Sequence, residues 1–288
     1  MKRGIIMKKI FGVLTICFVL LLAACGDDNE NTSQVGSEND EGNVTLTVGA
    51  QSVPHAEILE EAKPLLEEKN ITLEIEEYQD FVLPNDDLAD GRLDANYFQH
   101  IPYLEQTVED TGYDLDYIGK IHIEPMGIYS QDYESIDDIP DGTEVILSNS
   151  VADHGRVLSL FEEAGLITLE DGIDVDDMTL DDIVENPKNL TFSPDYEPAI
   201  LPELYESESD ILAAINTNYA IDAGLDPGND ALFIEPDDSP YANVIAVRSE
   251  DKDNESLKTL VEVLQSDDIQ DFIEDKYEGA IVPVKSDD

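Results

Sequence analysis

Runs with strand character alternate with runs with helix character along most of this 288-residue chain, and no other feature restricts its fold so strongly. Residues 44–50 (VTLTVGA) read as a strand ending in small residues. Ser52 can cap a following helix, in which Ile58, Leu59, Ala62, Leu65 and Leu66 recur at helical spacing. Pro64 should bend that helix or stand where its missing N–H does little harm. Residues 71–78 (ITLEIEEY) alternate apolar and acidic side chains, as a half-buried strand does. Helices are expected over 88–93, ended by turn chemistry around Gly91, and over 101–108, running toward Gly112. A second block starts near Ser135, with a strand at 144–147 and a polar loop at 149–153. The helix after it has Val157, Leu158, Leu160, Phe161 and Ala164 as its apolar face and stops at Gly165. Further strands are expected at 190–192, 213–215 and 243–247, and an amphipathic helix at 257–264. Such alternation points to parallel α/β sheets, and the length suits one large or two small domains.

The first 24 residues stand apart from this pattern. Lys2, Arg3, Lys8 and Lys9 precede an apolar run at 10–22, and then come Leu22, Ala23, Ala24 and Cys25. The run is too short for a permanent membrane helix and reads as a secretory signal. Its last four residues resemble the bacterial lipobox, in which the Cys is lipidated and becomes the mature N-terminus. Residues 1–24 are therefore expected to be a removed signal peptide and Cys25 the lipidated residue. Residues 26–43 hold six acids, no Lys or Arg, and one larger aliphatic side chain, Val35. Such a segment cannot bury enough surface to offset its ordering entropy, so 25–43 should be a flexible tether. The folded body is then 44–288, held at the membrane surface on the extracytoplasmic face. Cleavage discards Cys17, so no disulfide can form within one mature chain.

Charge narrows the partners. There are 67 acidic and 15 basic residues, a formal net charge of −52. Nucleic acid and anionic lipid both call for clustered Lys and Arg, so neither is an expected partner through a basic patch. The leader takes four of the basic residues and no acids, which leaves eleven bases against 67 acids and a mature charge of −56. Dense surface carboxylates suit a protein of a halophilic or alkaliphilic bacterium, stable at high salt and self-repelling at low salt. The eight acids of 170–185 read as a solvated surface and do not fit a calcium-binding loop.

Three stretches carry candidate ligand chemistry. Residues 94–103 (DANYFQHIPY) pack three aromatics and His100 just before a helix, suited either to an apolar ligand side chain or to a local core cluster. In 145–161 (VILSNSVADHGRVLSLF) a strand leads through a polar loop to a helix start beside Arg156. A cation at a positive helix end is disfavoured unless an anion is near, which could be a ligand carboxylate or one of the many acids. Asn216 and Asn243 each stand beside an apolar strand. A carboxamide can hold an ammonium or a carboxylate, or can simply make a turn.

Together these stretches resemble the methionine-binding lipoproteins of ABC importers, the NlpA/MetQ family. The resemblance runs through VGAQSVPHAEILEEAKPLL, FVLPNDDLADGRLDANYFQHIPYLEQ, IVENPKNL, AAINTNYAIDAGLDP and SPYANVIAVRSED, and covers nearly the whole body. It implies a two-lobed periplasmic-binding-protein fold, type II-like, with a hinge crossed twice. Lobe one would be about 44–130 plus 240–288, and lobe two 131–239. It also implies a lipid-anchored binding component that takes methionine, L- and possibly D-, by lobe closure and delivers it to a permease with its ATPase subunits. By the resemblance, Phe81, Phe98 and Tyr103 form the aromatic wall with His100 as a polar neighbour. Arg156 binds the ligand carboxylate, and Asn216 and Asn243 complete the site. Phe81 stands where many relatives have Tyr, and the loop before Arg156 reads SNSVADH rather than a sequence like PNDPSN. A methionine-containing dipeptide or another amino acid is the alternative ligand.

Neither an enzyme nor a metal carrier is favoured. No positioned nucleophile and no nucleotide loop stand out, although Asp153 and His154 are adjacent. His122 and Glu124 with another His could bind zinc, but no tight ligand spacing is visible, and no cofactor is expected.

Overall fold

The computed structural model describes residues 35–38, 42–237 and 239–284. The expected leader, Cys25 and most of the expected tether lie outside the described residues. Among the described residues no helix is long and apolar enough to cross a membrane.

The strands form two main sheets and one two-stranded ribbon. In the seven-stranded sheet, Val44–Gln51 lies parallel between Ile71–Tyr78 and Ala95–His100. Ala242–Arg248 then pairs antiparallel with both Ala95–His100 and Leu115–Ile123. The sheet is mixed, not parallel throughout. Chain direction explains this: 95–100 and 115–123 run toward one end of the sheet, and 242–248 enters there and runs away from it. Helices Glu57–Glu67, Glu255–Leu264 and Asp267–Tyr277 bury Ile58, Leu59, Leu66, Leu257, Leu260 and Ile273 in the same core as Leu46, Val48, Tyr97 and Ile245. Each such side chain contributes about 1.5–3 kcal/mol on leaving water. Pro64 lies inside its helix on the exposed side, and so does Glu60, whose carbonyl it leaves without an amide.

The five-stranded sheet has the order Thr191–Tyr196, Glu144–Ser148, Ile211–Ile215, Gly127–Tyr129, Phe233–Ile234. Its first three strands are parallel and the other two pairings antiparallel. Helix His154–Glu163 shares a core with Val145, Leu147 and Leu212 through Val157, Leu158 and Phe161. Gly155 permits a close approach: a Cβ there would stand 1.7 Å from the carbonyl oxygen of Val175.

The chain passes between the two sheets twice, at 124–126 and at 235–241. The two passages are tied together. Met126 N–H donates to Glu235 Oε2 at 2.8 Å, and Glu235 N–H donates to the Met126 carbonyl at 3.0 Å.

Two expectations shift. The helix expected at 88–93 is Leu83–Ala89. Asp80 Oδ1 accepts the N–H groups of Val82 and Leu83, both at 2.8 Å, and Pro84 is tolerated in a first turn, so the helix starts earlier. The body also begins before residue 44. Ser37–Glu38 pairs with Val44–Thr45, Val35 is buried, and Gly36 N–H donates to Asp94 Oδ1 at 2.9 Å. The one larger aliphatic residue of the acidic segment finds the core.

Candidate functional site

The passages and the facing ends of both sheets enclose a cleft. It brings together all seven body residues expected at the site: Phe81, Phe98, His100, Tyr103, Arg156, Asn216 and Asn243. Cys25 lies outside the described residues. From the first sheet's side, Phe98 and His100 come at the end of the strand Ala95–His100, and Tyr103 in the first turn of the helix Ile101–Thr111. Phe81 stands 6.0 Å from Phe98 and 6.1 Å from Tyr103, ring centre to ring centre, and Phe98 stands 6.1 Å from Tyr103. Tyr103 Oη donates to the Phe81 carbonyl at 3.0 Å, which fixes this wall. The helix Thr217–Asp222, which follows the second sheet's strand Ile211–Ile215, adds Tyr219, 5.0 Å from Phe81, whose Oη donates to the Gln79 carbonyl at 3.2 Å.

His100 caps its helix: Nδ1 accepts the Tyr103 N–H at 3.1 Å. That partner assigns the ring proton to Nε2, which faces Asp153 Oδ1 at 3.0 Å across the cleft. Asp153 Oδ2 accepts from Asn216 Nδ2 at 3.2 Å, and Arg156 Nη1 lies 3.5 Å from Oδ1. Burial alone would favour the neutral acid at Asp153. The His100 hydrogen bond and the Arg156 charge prevail and lower its pKa to about 2.

Arg156 is not an unengaged cation. Nε donates to Glu235 Oε1 at 3.0 Å, and Nη2 to Glu235 Oε2. Nη2 also donates to the Glu124 carbonyl at 3.0 Å, and the guanidinium lies 4.4 Å from the Tyr241 ring centre. The side chain thus joins both passages, and Nη1 is the nitrogen left to meet a ligand. Burial opposes its charge, but Glu235 holds its pKa above the ordinary arginine value.

Behind the cleft, Glu124 Oε1 faces His122 Nε2 at 2.8 Å and His55 Nε2 at 3.0 Å. Its Oε2 accepts Asn218 N–H at 3.1 Å. His122 Nδ1 meets Tyr97 Oη, and Asn243 Oδ1 meets His55 Nε2 at 3.1 Å, which leaves Asn243 its NH2 to offer. Burial pushes His122 down from its usual pKa toward the neutral ring. Burial would raise Glu124, but the two imidazoles hold it well below the carboxylate range. We assign His122 as the neutral ring, accepting at Nδ1 from Tyr97 and donating from Nε2 to Glu124. Ligand atoms of His55, His122 and Glu124 lie within 4.8 Å of one another, a grouping that could hold a metal ion. Sequence spacing hid it because His55 comes from a different element.

Nothing in residue type sets Asp153, Glu124 or Glu235 apart among 67 acids; the sequence offers Asp153 only beside His154 and Glu124 only as a zinc ligand, and Glu235 not at all. His154 is not in the cleft wall; its Nε2 meets the Ser148 carbonyl at 2.9 Å.

Two mixed sheets crossed twice by the chain, with one cleft lined from both, define a bilobed α/β solute-binding protein. The chain belongs to the NlpA lipoprotein family, whose model matches residues 46–285. It is 48% identical over 281 residues to the methionine-binding lipoprotein MetQ of Bacillus subtilis, covering 96% of this chain and 99% of that one. It is 36% identical over 264 residues to the D-methionine-binding lipoprotein MetQ of Escherichia coli K12, covering 91% and 93%. Among solved structures, a nutrient-binding protein of Burkholderia cenocepacia bound to methionine is 37% identical, with a TM-score of 0.78, covering 83% of this chain and 99% of that one.

Proposed function

We propose that this chain is the lipid-anchored, extracytoplasmic binding component of an ABC importer and that its ligand is methionine. The observation that carries this reading is the convergence of an aromatic wall, Nη1 of Arg156 and two Asn side chains in one cleft between the sheets. The thioether side chain would lie along Phe81, Phe98 and Tyr103, where sulfur–aromatic contacts are favourable. Its carboxylate would meet Arg156 Nη1 and the NH2 of Asn243. The lobes are the two sheets with their helices. Hydrogen bonds from His100 to Asp153 and from Tyr219 to Gln79 join the two sides of the cleft and support reading this form as the closed one. A ligand drives closure only by binding the closed form better, through contacts from both lobes. The closed form would be the one that a permease and its ATPase subunits receive, and the methionine-binding names of the relatives support the ligand.

A binding role is supported by Thr217, the one aliphatic hydroxyl among the described residues lining the cleft, which already donates to the Pro125 carbonyl. Native mass spectrometry of protein purified without added ligand tests the reading. The expected result is a retained species of methionine's mass, released on unfolding. A different retained solute would overturn the methionine assignment.

A further inference from the structure

The charges around the cleft do not balance for a ligand that brings only a carboxylate. Its immediate surroundings hold three buried carboxylates, Glu124, Asp153 and Glu235, against the single guanidinium of Arg156. That guanidinium is already engaged by Glu235 through two nitrogens. A ligand carboxylate placed at Nη1 lies close to Asp153, whose Oδ1 is 3.5 Å from the same nitrogen. Two carboxylates at that spacing repel unless a cation stands with them.

The acceptors in the cleft point the same way. Asn216 Oδ1 is buried with no hydrogen-bond partner, and a buried amide oxygen left so is costly. Asn216 Nδ2 donates to Asp153 Oδ2, so the orphan oxygen and the carboxylate belong to one small group. Each Asp153 oxygen accepts one close hydrogen bond, from His100 and from Asn216, and an ionised carboxylate has room for about four. Glu124 is more nearly spent, with two imidazoles on Oε1 and a backbone N–H on Oε2. What this corner lacks is a compact group with several donors and a positive charge. An ammonium is such a group.

We infer that Asp153, together with the Oδ1 of Asn216, is the ammonium anchor of the cleft and makes a free α-amino group a requirement for binding. The inference rests on the amino-acid reading above and adds a specificity determinant to it. Ligands without the ammonium, or with it acylated, set their carboxylate beside Asp153 with Arg156 alone to offset both, and are rejected. The zwitterion is accepted because its two charges answer Arg156 and Asp153 separately. Because Asp153 also bonds His100 across the cleft, an ammonium there bears on the residue that joins the lobes.

The test compares methionine with 4-(methylthio)butanoate, which is methionine without its ammonium, by calorimetry on the same protein preparations. Wild type should prefer methionine by about a hundredfold or more. In Asp153→Asn, which keeps the size and much of the hydrogen bonding, the preference should fall by at least tenfold, a charge-assisted bond being worth about that much. Asp153→Ser gives a second reading should the first variant fold poorly. The ratio is taken within one preparation, so loss of active protein cancels. If Asp153 only positions His100 and Asn216, both ligands weaken alike and the ratio is unchanged, which overturns the inference while methionine binding by wild type stands. If wild type binds neither compound, the functional reading falls and takes the inference with it.

Discussion

Arg156 does two jobs that a sequence shows as one. It offers Nη1 to the cleft and staples both passages through Glu235 and the Glu124 carbonyl. Arg156→Ala should therefore cost stability as well as affinity. The Glu235 carboxylate would be left buried without its partner, a loss of about 3–5 kcal/mol. Urea unfolding should show that loss and calorimetry at least a hundredfold weaker methionine binding; an unchanged unfolding midpoint would contradict the staple. Asp153 gives a pH signature. Its native pKa of about 2 lies below the ordinary 3.8, so its contribution is whole above about pH 4 and is lost as pH falls through 2. The size is about 2 kcal/mol. The stability gap between wild type and Asp153→Asn should narrow as pH falls from 4 to 2. Equilibrium unfolding at several pH values measures it.

At the scale of elements, helix His154–Glu163 is set by what touches its start. Gly155 leaves room for the Val175 carbonyl, which a methyl group would strike at 1.7 Å. Gly155→Ala should destabilise the fold by about 1–3 kcal/mol, as overpacking does, and weaken ligand binding because Arg156 is the next residue. A thermal melt and a titration read the two effects; a neutral change in both would show that the loop carrying Val175 yields freely. Elements were unequally legible in the sequence. The helix over 154–163 was readable because its apolar spacing is local. The strand Leu115–Ile123 was not foreseen, since its partner Ala242–Arg248 lies more than a hundred residues away and Gly119 and Lys120 interrupt its pattern. The seven cleft residues were legible through family motifs, whereas Glu124, Asp153 and Glu235 were not. What distinguishes these three acids is burial and pairing, and neither leaves a mark in residue type.

At the scale of the molecule, two facts stand side by side. The cleft concentrates a few buried charges whose partners are nearby, and among the described residues nearly all the other acids are at least partly exposed, with few bases to offset them. Exposed like charges are screened within about 10 Å at 0.1 M salt and within about 3 Å at 1 M. The melting temperature should therefore rise between dilute buffer and molar sodium chloride, as it would for a halophile's protein. A flat or falling trend would remove the halophilic reading without touching the site. Methionine as the ligand of this cleft is checked by calorimetric titration of the ligand-stripped protein with L-methionine. Saturable binding of one methionine per chain is expected; heats indistinguishable from dilution would refute methionine as the ligand.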